Sequence, residues 1–186
     1  MKNKSMLISV GITVALAVLG VGAAISAQDK YALKVPDGLA FAEFKGYEGW
    51  QTISISHNGD LLAVILGNPA MIEARKAGVP GNGKPFPDGA KMAKIHWNAK
   101  KNEAAPGQPL VAGTLHDIDF MVKDSKRFAD SGGWGYGEFE YDAASDAFRP
   151  GTGADKPPQG NDAKCGFACH TIVKNQDYVF TEYPKR

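Results

Sequence analysis

Residues 50–66, WQTISISHNGDLLAVIL, decide the fold. Apolar positions at Trp50, Thr52/Ile53 and Ile55 alternate with polar ones, the two-residue period of a strand with one buried face. Asn58-Gly59 follows, a dipeptide that readily takes up the left-handed backbone of a tight hairpin turn. Leu61–Leu66 is then an unbroken apolar run of strand length. The stretch predicts an antiparallel hairpin.

Reading on toward the C-terminus, Asn68-Pro69 supplies a helix N-cap and a first-turn proline, and Ala70–Ala77 predicts a short helix that stops at Gly78. Val79–Gly89 is a Pro/Gly loop. In Ala90–Trp97 the residues Ala93, Ile95 and Trp97 share one strand face and Met92, Lys94 and His96 the other. Asn98–Pro109 reads as a polar loop. In the strand Leu110–Val122, Thr114, His116, Ile118 and Phe120 oppose Leu115, Asp117, Asp119 and Met121, so His116 and Asp119 are expected on opposite faces. Lys123–Asp130 reads as a helical turn, Trp134–Tyr141 as a strand and Arg149–Lys164 as a long Pro/Gly/Asp loop. About five strands and short helices, with no alternation of strand and crossover helix, predict an α+β fold built on a predominantly antiparallel sheet.

Toward the N-terminus, Lys2 and Lys4 precede an apolar stretch, Met6–Ala24, that closes on the small-residue end Ile25-Ser26-Ala27. Residues 1–27 read as a secretory signal peptide, and residues 28–186 as a single domain. An uncleaved membrane anchor is the alternative, since the stretch approaches the roughly 20 residues of a membrane span. Removing 27 residues from 186 leaves 159, and losing two of 21 basic residues against 20 acidic ones moves the net charge from +1 to −1. No second run of spanning length follows, so the mature product is expected off the membrane, in the periplasm if the source is Gram-negative. Near-zero charge without a basic stripe argues against a nucleic-acid partner. Two cysteines also exclude a disulfide-framework miniprotein.

Both cysteines fall in Cys165-Gly166-Phe167-Ala168-Cys169-His170. The usual attachment signature for c-type haem is C-x-x-C-H, in which the thiols add to the haem vinyl groups and the histidine takes an axial position on iron. Here the spacing is one residue longer, C-x-x-x-C-H. Residues at i and i+4 still project from one side of a helical turn, and His170 keeps its place after the second cysteine. A local Cys165–Cys169 disulfide and a zinc site are the competing readings. The disulfide leaves His170 unexplained, and zinc lacks a fourth ligand.

Cys165–Thr171 followed by Asp177-Tyr178-Val179-Phe180-Thr181 resembles the C-terminal signature of the cytochrome P-460 family, whose relatives include the cytochromes c′-beta. Phe86-Pro87-Asp88-Gly89 with Lys94, and Val122–Ala129, are similar to family segments further upstream. The resemblance implies an antiparallel sheet fold, a homodimer, and one haem c attached through Cys165 and Cys169 with His170 as the iron ligand. It also implies that hydroxylamine is oxidised at the iron in the family's enzymes, where a lysine is bonded to the macrocycle. Lys94 stands at that lysine's place. His96 points the same way as Lys94 and is a candidate to line the cavity, as a proton relay or a sixth ligand. Asp119, with Asp117 on its face, aligns with the carboxylate that accepts protons. Asp119 is one methylene shorter than the family's glutamate, and Ala63 falls where some enzymes carry a distal arginine. Phe120, Phe128, Trp134 and Tyr136 are core candidates, some of which must wall a haem.

The leading expectation is an exported haem protein that oxidises hydroxylamine or nitric oxide at a five-coordinate haem and passes electrons to a soluble acceptor protein. A non-catalytic nitric oxide or carbon monoxide binder of the c′-beta kind stays open. So does a six-coordinate electron-transfer cytochrome closed by His96 or Met92.

Overall fold

The structure is a computed structural model that describes residues 28–35, 38–151 and 166–185. The signal-peptide segment 1–27 and Cys165 lie outside the described residues. Six strands run in sequence order through one antiparallel sheet: β1 (Gln51–Asn58), β2 (Leu61–Gly67), β3 (Lys91–Lys101), β4 (Leu110–Lys123), β5 (Trp134–Asp142) and β6 (Ala147–Pro150). The α+β antiparallel expectation holds with one strand more than expected. The added strand, β6, ends inside the stretch read as loop, where Arg149 and Pro150 pair with Glu140 and Phe139 of β5. β3 also runs on past Asn98, into the stretch read as a polar loop, and its Lys100 and Lys101 pair with Val111 and Leu110.

The hairpin at 51–67 forms as expected, with Asn58 opposite Leu61. One residue, Ile53, is inserted between the pairs Thr52↔Leu66 and Ser54↔Ile65. That bulge sends Ile53 into the core at 0% exposure and leaves Ile55 at 77%. The helix α1 (Pro69–Lys76) starts where Asn68 accepts the Met71 N–H at 3.1 Å. The same side-chain oxygen takes the Lys91 N–H at 2.9 Å, which ties the helix start to β3. No helix among the described residues is long and apolar enough to cross a membrane.

Both faces of the sheet are covered, which is why strand phase rather than hydrophobicity decides where a site can sit. The N-terminal segment lays three 3₁₀ turns, Lys30–Ala32, Phe41–Phe44 and Tyr47–Gly49, over one face. There Phe44 stacks on Phe120 with centroids 4.1 Å apart, and Phe41 meets Phe139 edge-on at 4.8 Å. Ala93, Ile118, Val122 and Phe128 complete that core. The other face carries Ile53, Ile65, Met92, Met121, Trp134 and Tyr136 beneath α1 and the C-terminal segment 166–185. Of the four aromatics proposed from sequence, Phe120 and Phe128 belong to the first core, and Trp134 and Tyr136 to the second.

Candidate functional site

Between the second sheet face and the C-terminal segment lies a cleft of about 500 Å³. Its floor comes from alternate residues of three strands: Met92 and Lys94 of β3, Asp119 and Met121 of β4, Tyr136 and Glu138 of β5. Its roof is His170 with Val179, Phe180 and Thr181. The shared phase follows from register, since Lys94 pairs with Asp119 and Asp119 with Glu138.

His170 ends the short helix α2 (Ala168–His170), which follows a π-type turn at Gly166 and Phe167. Gly166 permits that turn to press on β5, because a Cβ there would collide with the Tyr136 ring. The imidazole is held between Tyr136 and Phe180, with ring centroids 5.1 and 5.0 Å away. Its Nδ1 lies 2.6 Å from the Tyr178 carbonyl oxygen. A carbonyl only accepts, so Nδ1 carries the proton and Nε2 keeps its lone pair. Burial depresses the His170 pKa, the Tyr178 carbonyl works against that, and the Lys94 charge adds to it. A neutral ring with a free Nε2 is the form that binds a metal.

The acidic floor is asymmetric. Burial would raise the Asp117 carboxyl, but hydrogen bonds from His96 and His116 outweigh it and hold the group below its ordinary value. Asp119 accepts no comparable bond; His96 Nδ1 is 3.8 Å away. Its carboxyl is pushed up to about 6, chiefly by burial and then by Asp117, against the pull of His96 and Lys94. Protein surrounds Asp119 on most sides, yet 44% of its side chain opens into the cleft, so a group filling the cleft would complete its desolvation. Glu138 is pushed up to about 7 by burial and by the charges of Asp119, Asp117 and Glu140.

His116 departs from its expected face. Asp117 pairs with His96 and Leu115 with Trp97, so His116 is an extra residue in β4. The bulge swings its ring to Asp117, with Nδ1 2.6 Å from Oδ2, and turns Leu115 into the opposite core. His96 shares the Lys94 face but spends Nδ1 on Asp117 and does not line the cleft. The donors of His96, Asp117 and Asp119 lie within 4.8 Å of one another, yet the two imidazole protons already occupy Asp117.

A family model described as Cytochrome P460 matches residues 44–181. The chain belongs to the cytochrome P460 family. No curated protein matches it. Membership implies a haem cofactor, and the cytochrome P460 chain's own residues fit one. His170 offers a free Nε2 to the cleft, Cys169 is exposed on the same turn, and the buried Tyr136 hydroxyl finds no hydrogen-bond partner among the described residues. The cleft also has the size of a cofactor pocket.

Two features of this site escaped sequence reasoning. Glu138 follows Trp134 and Tyr136 at the two-residue period, so strand phase could have found it. The pairing of His116 with Asp117 could not be read, since no local signal marks the bulge.

Proposed function

We propose that this cytochrome P460 chain is an exported c-type haem protein that oxidises hydroxylamine, or nitric oxide, at a five-coordinate haem. In this reading Cys165 and Cys169 hold the haem through thioethers and His170 ligates the iron from Nε2. The haem, when bound, supplies the redox chemistry and passes electrons to a soluble acceptor protein. The protein holds the substrate beside a proton acceptor and restricts water. Hydroxylamine reaches nitric oxide by losing each of its protons together with an electron, so the site must accept protons as well as electrons.

One observation carries the proposal: Asp119 lies in the cleft with His170 and has neither oxygen committed to a strong partner, while its neighbour Asp117 has both engaged. A carboxyl poised at about 6 is suited to take a proton near neutrality. Lys94 faces the same cleft and makes no hydrogen bond or ion pair among the described residues, which supports it as the cross-linking lysine. A half-buried apolar strip of Leu62, Val64 and Trp97, flanked by exposed Ile55 and Leu110, supports a homodimer.

Peptide mapping of the haem adducts, alongside turnover of hydroxylamine with an artificial electron acceptor, tests the reading. Haem joined to the Cys165–His170 peptide and to the Lys94 peptide, with turnover, is the expected result. A Cys165→Ala/Cys169→Ala protein that still carried covalent haem would sink the attachment. Lys94 recovered in a free peptide removes the cross-link, and nitric oxide binding without turnover rules for the gas-binding alternative.

A further inference from the structure

The segment that carries His170 is locked to the sheet by a buried charge pair. Lys123, the last residue of β4, is 5% exposed. Its Nζ donates to Asp177 Oδ1 at 2.7 Å and to the Gly132 carbonyl at 2.9 Å, and sits 5.1 Å from the Trp134 ring centroid. The second Asp177 oxygen accepts the Phe86 N–H at 2.7 Å. One carboxylate therefore fastens the C-terminal segment both to the sheet and to the loop before β3.

Asp177 and the next residue, Tyr178, have φ of 48° and 63°. Two successive non-glycine residues in the left-handed region persist only where their surroundings impose it. The imposed reversal turns the Tyr178 carbonyl back onto His170 Nδ1. The Tyr178 ring is seated against Gly132, where a Cβ would overlap it. Charge pair, reversal and ring contact thus converge on one carbonyl oxygen.

We propose that the Lys123–Asp177 pair is a positioning device for the iron-ligating histidine: it fixes the Tyr178 carbonyl against Nδ1 and so sets how strongly Nε2 donates to the haem iron. The inference rests on His170 being that ligand. A held Nδ1–H makes the imidazole a stronger donor, and such outer hydrogen bonds are among the levers on haem potential. Loosening the carbonyl weakens the iron–histidine bond and favours the reduced iron.

The test uses the full haem-loaded chain with Lys123→Met, Lys123→Arg and the double variant Lys123→Met/Asp177→Asn. The readouts are the iron–histidine stretch of the ferrous form by resonance Raman, the reduction potential, and the thermal midpoint. Lys123→Met is expected to lower the stretch, raise the potential and lower the midpoint, since it strands a buried carboxylate. The double variant removes both charges and is expected to recover the midpoint while keeping the shifted stretch and potential; Lys123→Arg restores all three toward wild type. Wild-type stretch and potential in the double variant would make the pair a fold anchor only and overturn the proposal. A His170→Gly protein that kept the wild-type stretch would instead overturn the ligand assignment beneath it.

Discussion

Replacing Glu138 with glutamine should stabilise the protein, and only above the ordinary range of a carboxylate. Glu138 faces Asp119 across the β4–β5 ladder, with Asp117 and Glu140 close by and His116 the favourable group. Burial and these like charges raise its carboxyl from 4.5 to about 7. A group raised in the folded state binds protons there that it has lost in the unfolded chain, so stability falls as pH climbs from the ordinary value through the folded one. At about 1.4 kcal/mol per pH unit the full shift corresponds to about 3 kcal/mol. Part of that shift comes from like charges that the open cleft lets solvent screen, so less than half of it is expected to survive. Glu138→Gln should therefore gain about 1–1.5 kcal/mol near pH 8 and about half of that near pH 5.

For a chain of this length the gain at about pH 8 corresponds to a rise of roughly 3 °C in thermal midpoint. Differential scanning of haem-loaded wild type and Glu138→Gln at the two pH values reads it directly. The glutamine amide can donate to Asp119, so the N–H group the substitution introduces has an acceptor beside it. No stabilisation at the higher pH, or the same stabilisation at both, would refute the idea that crowded carboxylates hold this wall of the cleft above its relaxed energy.

Three further outcomes follow from the geometry. Asp119→Asn should slow hydroxylamine turnover by about 10²-fold or more, the usual contribution of a positioned proton acceptor, and remove the limb of the pH–rate profile near 6. Phe41→Ala should cost about 3–5 kcal/mol in a denaturant titration while leaving the haem spectrum in place, because Phe41 packs on Phe120 and Phe139 on the face away from the cleft. Gly166→Ala, whose Cβ would press into the Tyr136 ring, should lower haem incorporation measured by pyridine haemochrome without unfolding the sheet.

The meander was legible because its signals are local: Asn58-Gly59 marks the hairpin, Asn68-Pro69 the helix start, and alternation marks the phase of β3. Lys94 could be placed with His96, and Asp119 with Asp117, each pair on one face of its own strand for the same reason, and the structure puts Lys94 and Asp119 together in the cleft. What local pattern could not supply was which face would be the site, since Ala93 and Ile95 on one side and Met92 on the other are all apolar. The decision is made by the segment 28–50, whose Phe41 and Phe44 cover the first face and leave the second to His170. Bulges are equally invisible, because one inserted residue changes register without changing composition. That is how His116 came to lie with Asp117, and Ile55 on the surface.

The electrostatics of the cleft bear on the choice between an enzyme and a gas-binding protein. Nitric oxide and carbon monoxide are neutral and bind without releasing protons. For such a ligand, two carboxyls pushed up to about 6 and about 7 would cost stability to no purpose, and apolar residues at 119 and 138 would serve better. A substrate that sheds a proton with each electron reverses the balance. Asp119 and Glu138 then offer two acceptors in one cleft, while Asp117, held low by its two histidines, keeps a fixed negative charge beside them. Burial, and after it that fixed charge, raises the proton affinity of Asp119 above that of an isolated aspartate. The carboxylate wall therefore favours proton-coupled oxidation over simple gas capture.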